Sequence, residues 1–125
     1  MSYPSVVPEQ PKPLFYAITA DGLAVLDYLG VQDVSGVRPI LAGHCFGIPR
    51  PMRELQRFCN DHRIAVIEDC AHAYFGVVEG MPVGSWGDFA IASLSKLFPV
   101  PECGLMIAIR ARLDALKLAR LSWLA

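Results

Sequence analysis

Two short stretches of this 125-residue chain carry residue types that do chemistry. The first is Glu68-Asp69-Cys70-Ala71-His72-Ala73, directly after the apolar run Ile64-Ala65-Val66-Ile67. A carboxylate backed by a fully apolar strand is costly unless it meets a cation or several donors. In open α/β sheets, ligands bind outside the carboxyl ends of the strands, which is where this group falls. The plainer alternative is a helix cap by Asp69, with His72 on the same face if the segment turns. The second stretch is Ser93-Leu94-Ser95-Lys96, which ends on the one basic residue between Arg63 and Arg110. A lysine in apolar surroundings loses hydration of its ammonium form, and the neutral amine becomes a nucleophile. Schiff-base lysines are made in this way. Its alternative is a strand-end lysine with its stem on the core and its head in water.

Together the two stretches meet the needs of pyridoxal 5'-phosphate (PLP). That cofactor takes a lysine amine for its carbonyl carbon and a carboxylate to keep its pyridine nitrogen protonated. Lys96 and Asp69 supply those groups, and Ser93 and Ser95 stand beside the lysine as hydroxyl donors for the phosphate. A serine acyl-enzyme reading of Ser93-x-x-Lys96 fails, because no K-T-G accompanies it and Asn60 lies in no S-x-N. No G-x-G-x-x-G follows any expected strand, so a dinucleotide site is not indicated.

The elements that must position these groups read as α/β. Four prolines among the first thirteen residues make 1–13 an irregular segment. Leu14–Ile18 is a short β-prone run, and Asp21 caps a helix through Leu29 that Gly30 stops. Pro39–Gly43 and Ile64–Ile67 are buried strands flanking a helix that starts near Pro49 and Pro51 and runs to His62. Asp88–Ser93 and Leu105–Ile109 supply two more strands, with a turn at Met81-Pro82-Val83-Gly84. Arg110–Leu124 reads as a last helix without a cap. Continuous apolar strands separated by amphipathic helices require a sheet covered on both faces. The expected fold is therefore a three-layer, mostly parallel sheet with flanking helices, occupying 14–125, and both ends look cut.

Composition narrows the function classes. The chain is 54% hydrophobic and 18% charged, with a net charge of -1, a mean hydropathy of +0.39 and a pI near 6.3. Near-neutral charge removes a general electrostatic case for nucleic acid or an anionic membrane. No apolar run is long enough for a bilayer span, and the N-terminus lacks the pattern of a secretory signal, so a cytoplasmic protein is expected. Cys45, Cys59, Cys70 and Cys103 form no C-x-x-C pair, and none stands at zinc-ligand spacing from His44, His62 or His72. They read as small buried hydrophobes with free thiols, and no metal site is expected.

Ile67-Glu68-Asp69-Cys70-Ala71-His72-Ala73, Val83-Gly84-Ser85-Trp86-Gly87-Asp88 and Ser93 through Gly104 resemble successive blocks of the DegT-type sugar aminotransferases. His44 through Met52 resembles the block before them. These are PLP-dependent enzymes of the aspartate aminotransferase superfamily, fold type I, and the resemblance implies that the chain is part of their large domain. It implies Lys96 as the Schiff-base lysine and proton carrier, Asp69 as the partner of the pyridine nitrogen, and His72 as the group near the 3′-oxygen. Ser93 is the matching phosphate contact, although many members carry that serine at the position of Ile91. Cys103 stands where a Gly-Gly pair is usual. The implied substrates are an amino donor such as glutamate and a nucleotide-linked keto sugar, used in amino-sugar or polysaccharide biosynthesis, by a homodimer if the protein is complete. The family's N-terminal phosphate loop and C-terminal small domain have no counterpart here. The alternative is thus a catalytically inactive fragment that folds or acts only with a full-length partner.

Overall fold

The computed structural model describes residues 12–37 and 39–111. Most of the 1–13 segment and nearly all of the expected helix at Arg110–Leu124 lie outside the described residues. A four-stranded sheet is built from β1 (Pro39–Gly43), β2 (Ala65–Asp69), β5 (Phe89–Ser93) and β6 (Gly104–Ala108), in that spatial order. The β1–β2 and β2–β5 pairs are parallel, and β6 runs antiparallel to β5. Two short strands, β3 (Val77–Val78) and β4 (Met81–Pro82), form a separate hairpin.

Register decides which side chains share a face. Ile40 stands beside Val66, Ala42 beside Glu68, and Glu68 beside Ala90. Because side chains alternate along a strand, this row forms one face. It is buried against α2 (Arg53–His62) through Leu55 and Cys59, and Leu29 of α1 (Leu26–Gly30) joins the same cluster with Met52, Ile64 and Trp86. The other face carries Leu41, Ile67, Asp69, Ile91 and Ser93, and Leu41 is 53% exposed. Both α-helices among the described residues therefore cover the same side.

α2 forms where its pattern demands, with Leu55 and Cys59 buried at i, i+4 and Arg53 and Arg57 exposed. It ends as Arg63 turns left-handed at φ 57° and Ile64 N–H donates to Cys59 O at 2.8 Å, which delivers the chain directly into β2. Its start is capped from a distance. Glu79 Oε2 accepts Met52 N–H at 2.8 Å and Arg53 N–H at 2.9 Å, and Arg53 also donates to Glu79 O at 3.0 Å.

Several expectations need correcting. The helix expected from Asp21 shrinks to the five residues of α1, and Leu14–Ile18 contributes only one bridge, Ile18 to Ala24. Asp21 sits instead in a turn in which Gly22 N–H donates to Thr19 O. The turn expected at Met81–Gly84 begins earlier: Glu79 and Gly80, with φ 49° and 83°, reverse the chain, and Met81-Pro82 is strand. A pair of positive φ angles is what a two-residue hairpin needs. Cys59 and Cys70 are buried, but Cys45 and Cys103 are exposed.

Candidate functional site

The predicted site residues come together at the carboxyl ends of β2 and β5. Asp69 is the last residue of β2 and stands beside Ile91 of β5; Ser93, two residues on, shares its face and ends that strand. No helix follows Asp69. Its Oδ1 accepts Ala71 N–H at 2.9 Å, a local turn that brings His72 back over the strand end and replaces the helix-cap alternative. Asp69 Oδ2 has no hydrogen-bond partner among the described residues.

Beyond β5 the chain tightens into a 3-10 turn, Leu94–Lys96, with Leu94 N–H tied to Cys103 O at 2.8 Å. This turn sets Lys96 Nζ 2.9 Å from His72 Nε2. With the lysine as donor, His72 accepts in its neutral form. Ser93 and Ser95 hydroxyls lie 3.1 Å apart. One expectation is overturned here: Lys96 is exposed, not enclosed by apolar side chains. It sits past the strand end on a turn, where the buried face of the sheet has already run out.

A second polar constellation lies beneath the first, on the core face, and sequence reasoning singled out only part of it. Glu68 has a relative exposure of 0% and His44 of 1%. His44 Nε2 and Glu68 Oε1 are 2.8 Å apart, while His44 Nδ1 accepts Arg50 N–H at 2.9 Å. That second bond fixes the tautomer, so Nε2–H donates to the carboxylate. Glu68 also accepts backbone N–H groups from Gly84 at 2.7 Å, Trp86 at 2.8 Å and Gly87 at 3.2 Å. Burial pushes the carboxyl up, but His44 and the three N–H donors outweigh it and hold Glu68 below the ordinary carboxylate range. It is therefore ionised when folded. The cost foreseen for a carboxylate behind an apolar strand is met at Glu68 by four donors. The signal for it was present as a charged residue continuing an all-apolar strand, paired with a histidine at the end of the neighbouring one.

Cys70 adds its sulfur to this cluster, with donor atoms of His44, Glu68 and Cys70 all within 4.8 Å of one another. Both imidazole nitrogens and both carboxylate oxygens are already engaged. Burial, then Glu68 and Asp69, push the Cys70 thiol up to about 12. The three residues thus form a hydrogen-bonded core network and not a ready set of metal ligands. A separate cleft of about 360 Å³, lined by Tyr16, Gly22, Leu26, Arg50 and Glu54 among others, contains none of the four predicted site residues.

The residues present suit PLP in kind: an amine, a carboxylate with one open oxygen, an imidazole and two hydroxyls surround adjacent strand ends. Residues 32–112 match the model of the DegT/DnrJ/EryC1/StrS aminotransferase family. The chain is similar to the GDP-perosamine synthase of Vibrio cholerae, at 29% identity over 77% of this chain and 27% of the relative. It is also similar to the UDP-N-acetyl-3-dehydro-alpha-D-glucosamine 3-aminotransferase of Acidithiobacillus ferrooxidans, at 28% identity over 80% of this chain and 26% of the relative. Among solved structures, the aminotransferase from Psychrobacter cryohalolentis superposes with a TM-score of 0.70 at 25% identity, over 78% of this chain and 26% of that one. The chain thus spans about a quarter of the length of these relatives. No helix among the described residues is long and apolar enough to cross a membrane.

Proposed function

Because the chain belongs to the DegT/DnrJ/EryC1/StrS aminotransferase family, we propose that it is part of a PLP-dependent aminotransferase acting on a nucleotide-linked keto sugar. The substrate class comes from the relatives, whose names describe amino sugars carried on GDP and UDP. The observation that supports the reading most is the 2.9 Å approach of Lys96 to His72 at the strand ends, next to Asp69 and Ser93.

Bound PLP supplies an electron sink that draws charge away from a substrate's α-carbon. In this reading Lys96 Nζ is the amine that would hold the cofactor and carry the proton. His72 keeps that amine at the mouth of the site, accepting its hydrogen bond on Nε2. Asp69 Oδ2 would accept a hydrogen bond from the protonated ring nitrogen while Oδ1 stays tied to Ala71 N–H, so the carboxylate is held in place before any ligand arrives. Ser93 and Ser95 would donate their hydroxyls to the phosphate. A glutamate-like amino donor and the keto sugar would use the same strand-end site in turn.

The test is chemical. PLP is added to the full chain, the product is fixed with borohydride, and peptides are mapped. Label on the peptide containing Lys96 is expected, with the near-visible band absent from Lys96→Ala. Label on Lys12 or Lys117 instead would overturn the assignment. Labelling of Lys96 without amino transfer from glutamate would favour the inactive-fragment alternative.

A further inference from the structure

Glu68 is the most heavily bonded side chain of the described residues, and the PLP chemistry above makes no use of it. Together with its partners it ties three separate segments. His44 belongs to the turn after β1, Glu68 itself to β2, and Gly84, Trp86 and Gly87 to the stretch that leads into β5. Each of these segments then leads to a site residue or touches the backbone of one. His44 N–H donates to Asp69 O at 3.1 Å, and Gly47, three residues on, lies close enough that an added Cβ would stand 3.4 Å from His72 O. Cys70 N–H donates to Ile91 O at 2.8 Å, joining the Asp69 turn to the strand that ends at Ser93. The 84–87 stretch leads through Asp88 into β5, which ends at Ser93 and is followed by the turn that carries Lys96.

We propose that Glu68, held by His44, is a positioning residue of the cofactor site: a buried clamp that sets the strand ends bearing Asp69, Ser93 and Lys96 relative to one another. The proposal rests on the reading of that site as a PLP site. A carboxylate suits the task because it accepts on both oxygens at once and has no donor of its own. Oε1 takes His44 and Gly84, while Oε2 takes Trp86 and Gly87. An amide in its place fits the volume but turns an NH2 group against one of these donor pairs, whichever way it is flipped. The three segments would then part by a small distance while the rest of the core stays packed.

The experiment compares the full wild-type chain with Glu68→Gln, measuring PLP affinity by dialysis and the induced circular dichroism of the near-visible band per mole of PLP bound. Induced dichroism reports how rigidly the cofactor is oriented, which a purely stabilising residue would leave unchanged once the protein is folded. Expected for Glu68→Gln are borohydride labelling that still falls on Lys96, PLP binding roughly tenfold weaker, as for a buried donor left without its acceptor, and a reduced dichroic signal per bound PLP. If Glu68→Gln does not fold, His44→Leu removes one of the four donors and keeps the carboxylate, and the same changes are expected with smaller size. A folded variant with wild-type affinity and wild-type dichroism overturns the proposal. Wild-type chain that gives no label on Lys96 overturns the PLP reading itself, and this inference with it. Label on Lys96 with no effect of either variant overturns the clamp alone.

Discussion

Gly87 offers the most quantitative test of the packing beneath the site. A Cβ added there would stand 2.5 Å from Phe89 O, 2.8 Å from Val66 O and 3.1 Å from Glu68 N. All three are backbone atoms of β2 and β5, so no side chain can swing aside and the 84–88 segment itself must move. That movement works against Gly87 N–H to Glu68 at 3.2 Å, Asp88 N–H to Val66 O at 2.8 Å and Val66 N–H to Asp88 Oδ2 at 2.8 Å. Overpacking costs about 1–3 kcal/mol, and each lost hydrogen bond about 0.5–1.5 kcal/mol. Gly87→Ala is therefore expected to destabilise the chain by about 2.5–7.5 kcal/mol, set against a total of about 5–15 kcal/mol for ordinary domains. Urea unfolding followed by circular dichroism measures this directly, with Gly80→Ala as the control. Gly80 has φ 83° and open space around it, so only the left-handed backbone is strained, at about 1–2 kcal/mol. A Gly87→Ala chain within about 1 kcal/mol of wild type, or a Gly80→Ala chain that loses more, refutes the reasoning.

Three further outcomes are expected. Asp69→Asn keeps the Ala71 turn but removes the charge that would hold a protonated ring nitrogen, so PLP affinity should fall roughly tenfold with the melting temperature unchanged; equal affinity by dialysis would count against the assignment. Alkylation of the native chain should reach Cys45 and Cys103 and spare Cys59 and Cys70, whose thiols burial pushes up to about 11 and about 12. Because these two pKa values are raised on folding, the stability they confer is full below the ordinary thiol value of 9.0 and is lost as pH rises toward those figures; Cys59→Ala should flatten that alkaline decline in a melting series. Glu79 is held below its ordinary 4.5, chiefly by Arg53 N–H; burial, the next largest effect, opposes this, and Met52 N–H and the Arg53 charge add to the lowering. Its stabilisation is thus present above that value and lost as pH falls through the lowered one, so Glu79→Gln should lower the melting temperature at neutral pH and weaken its dependence on acid; an unchanged acid limb would argue against the cap.

The strands were legible because their apolar runs are uninterrupted. Pro39–Gly43 appears with the boundaries expected, and Ile64–Ile67 is shifted by one residue at its start and extended through Asp69. α2 was legible for the same kind of reason, an apolar stripe at helical spacing after Pro49 and Pro51. What local patterns could not show was anything settled by long-range contact. Asp21 satisfies a cap pattern, yet tertiary packing leaves only α1 helical and draws Ala17 and Val25 together instead, with Val25 N–H on Ala17 O. The cap of α2 comes from Glu79, 26 residues beyond Arg53, and no local window contains both. The exposure of Lys96 follows from where β5 stops, which depends on its pairing with β6 and not on the apolar residues around position 96.

The two adjacent acids show most clearly why register, and not residue type, assigns their work. Glu68 and Asp69 carry the same group on neighbouring positions at the same strand end, and either could be written opposite a ring nitrogen. Alternation sends them to opposite faces of the sheet. Glu68 falls in line with Val66 and Ala90 and is enclosed, both of its oxygens taken by His44 and three backbone donors. It has no capacity left for a ligand, and adding one would mean breaking the bonds that make its burial tolerable. Asp69 falls in line with Ile91 and Ser93, keeps one oxygen without a partner among the described residues, and lies on the side that neither described α-helix covers. A register slip of one residue would exchange the two roles, leaving Asp69 buried among donors spaced for a longer side chain and Glu68 facing solvent. The open oxygen of Asp69 therefore depends on its neighbour being fully occupied, and the clamp on the core face and the open site on the other face are one arrangement of β2 read from its two sides.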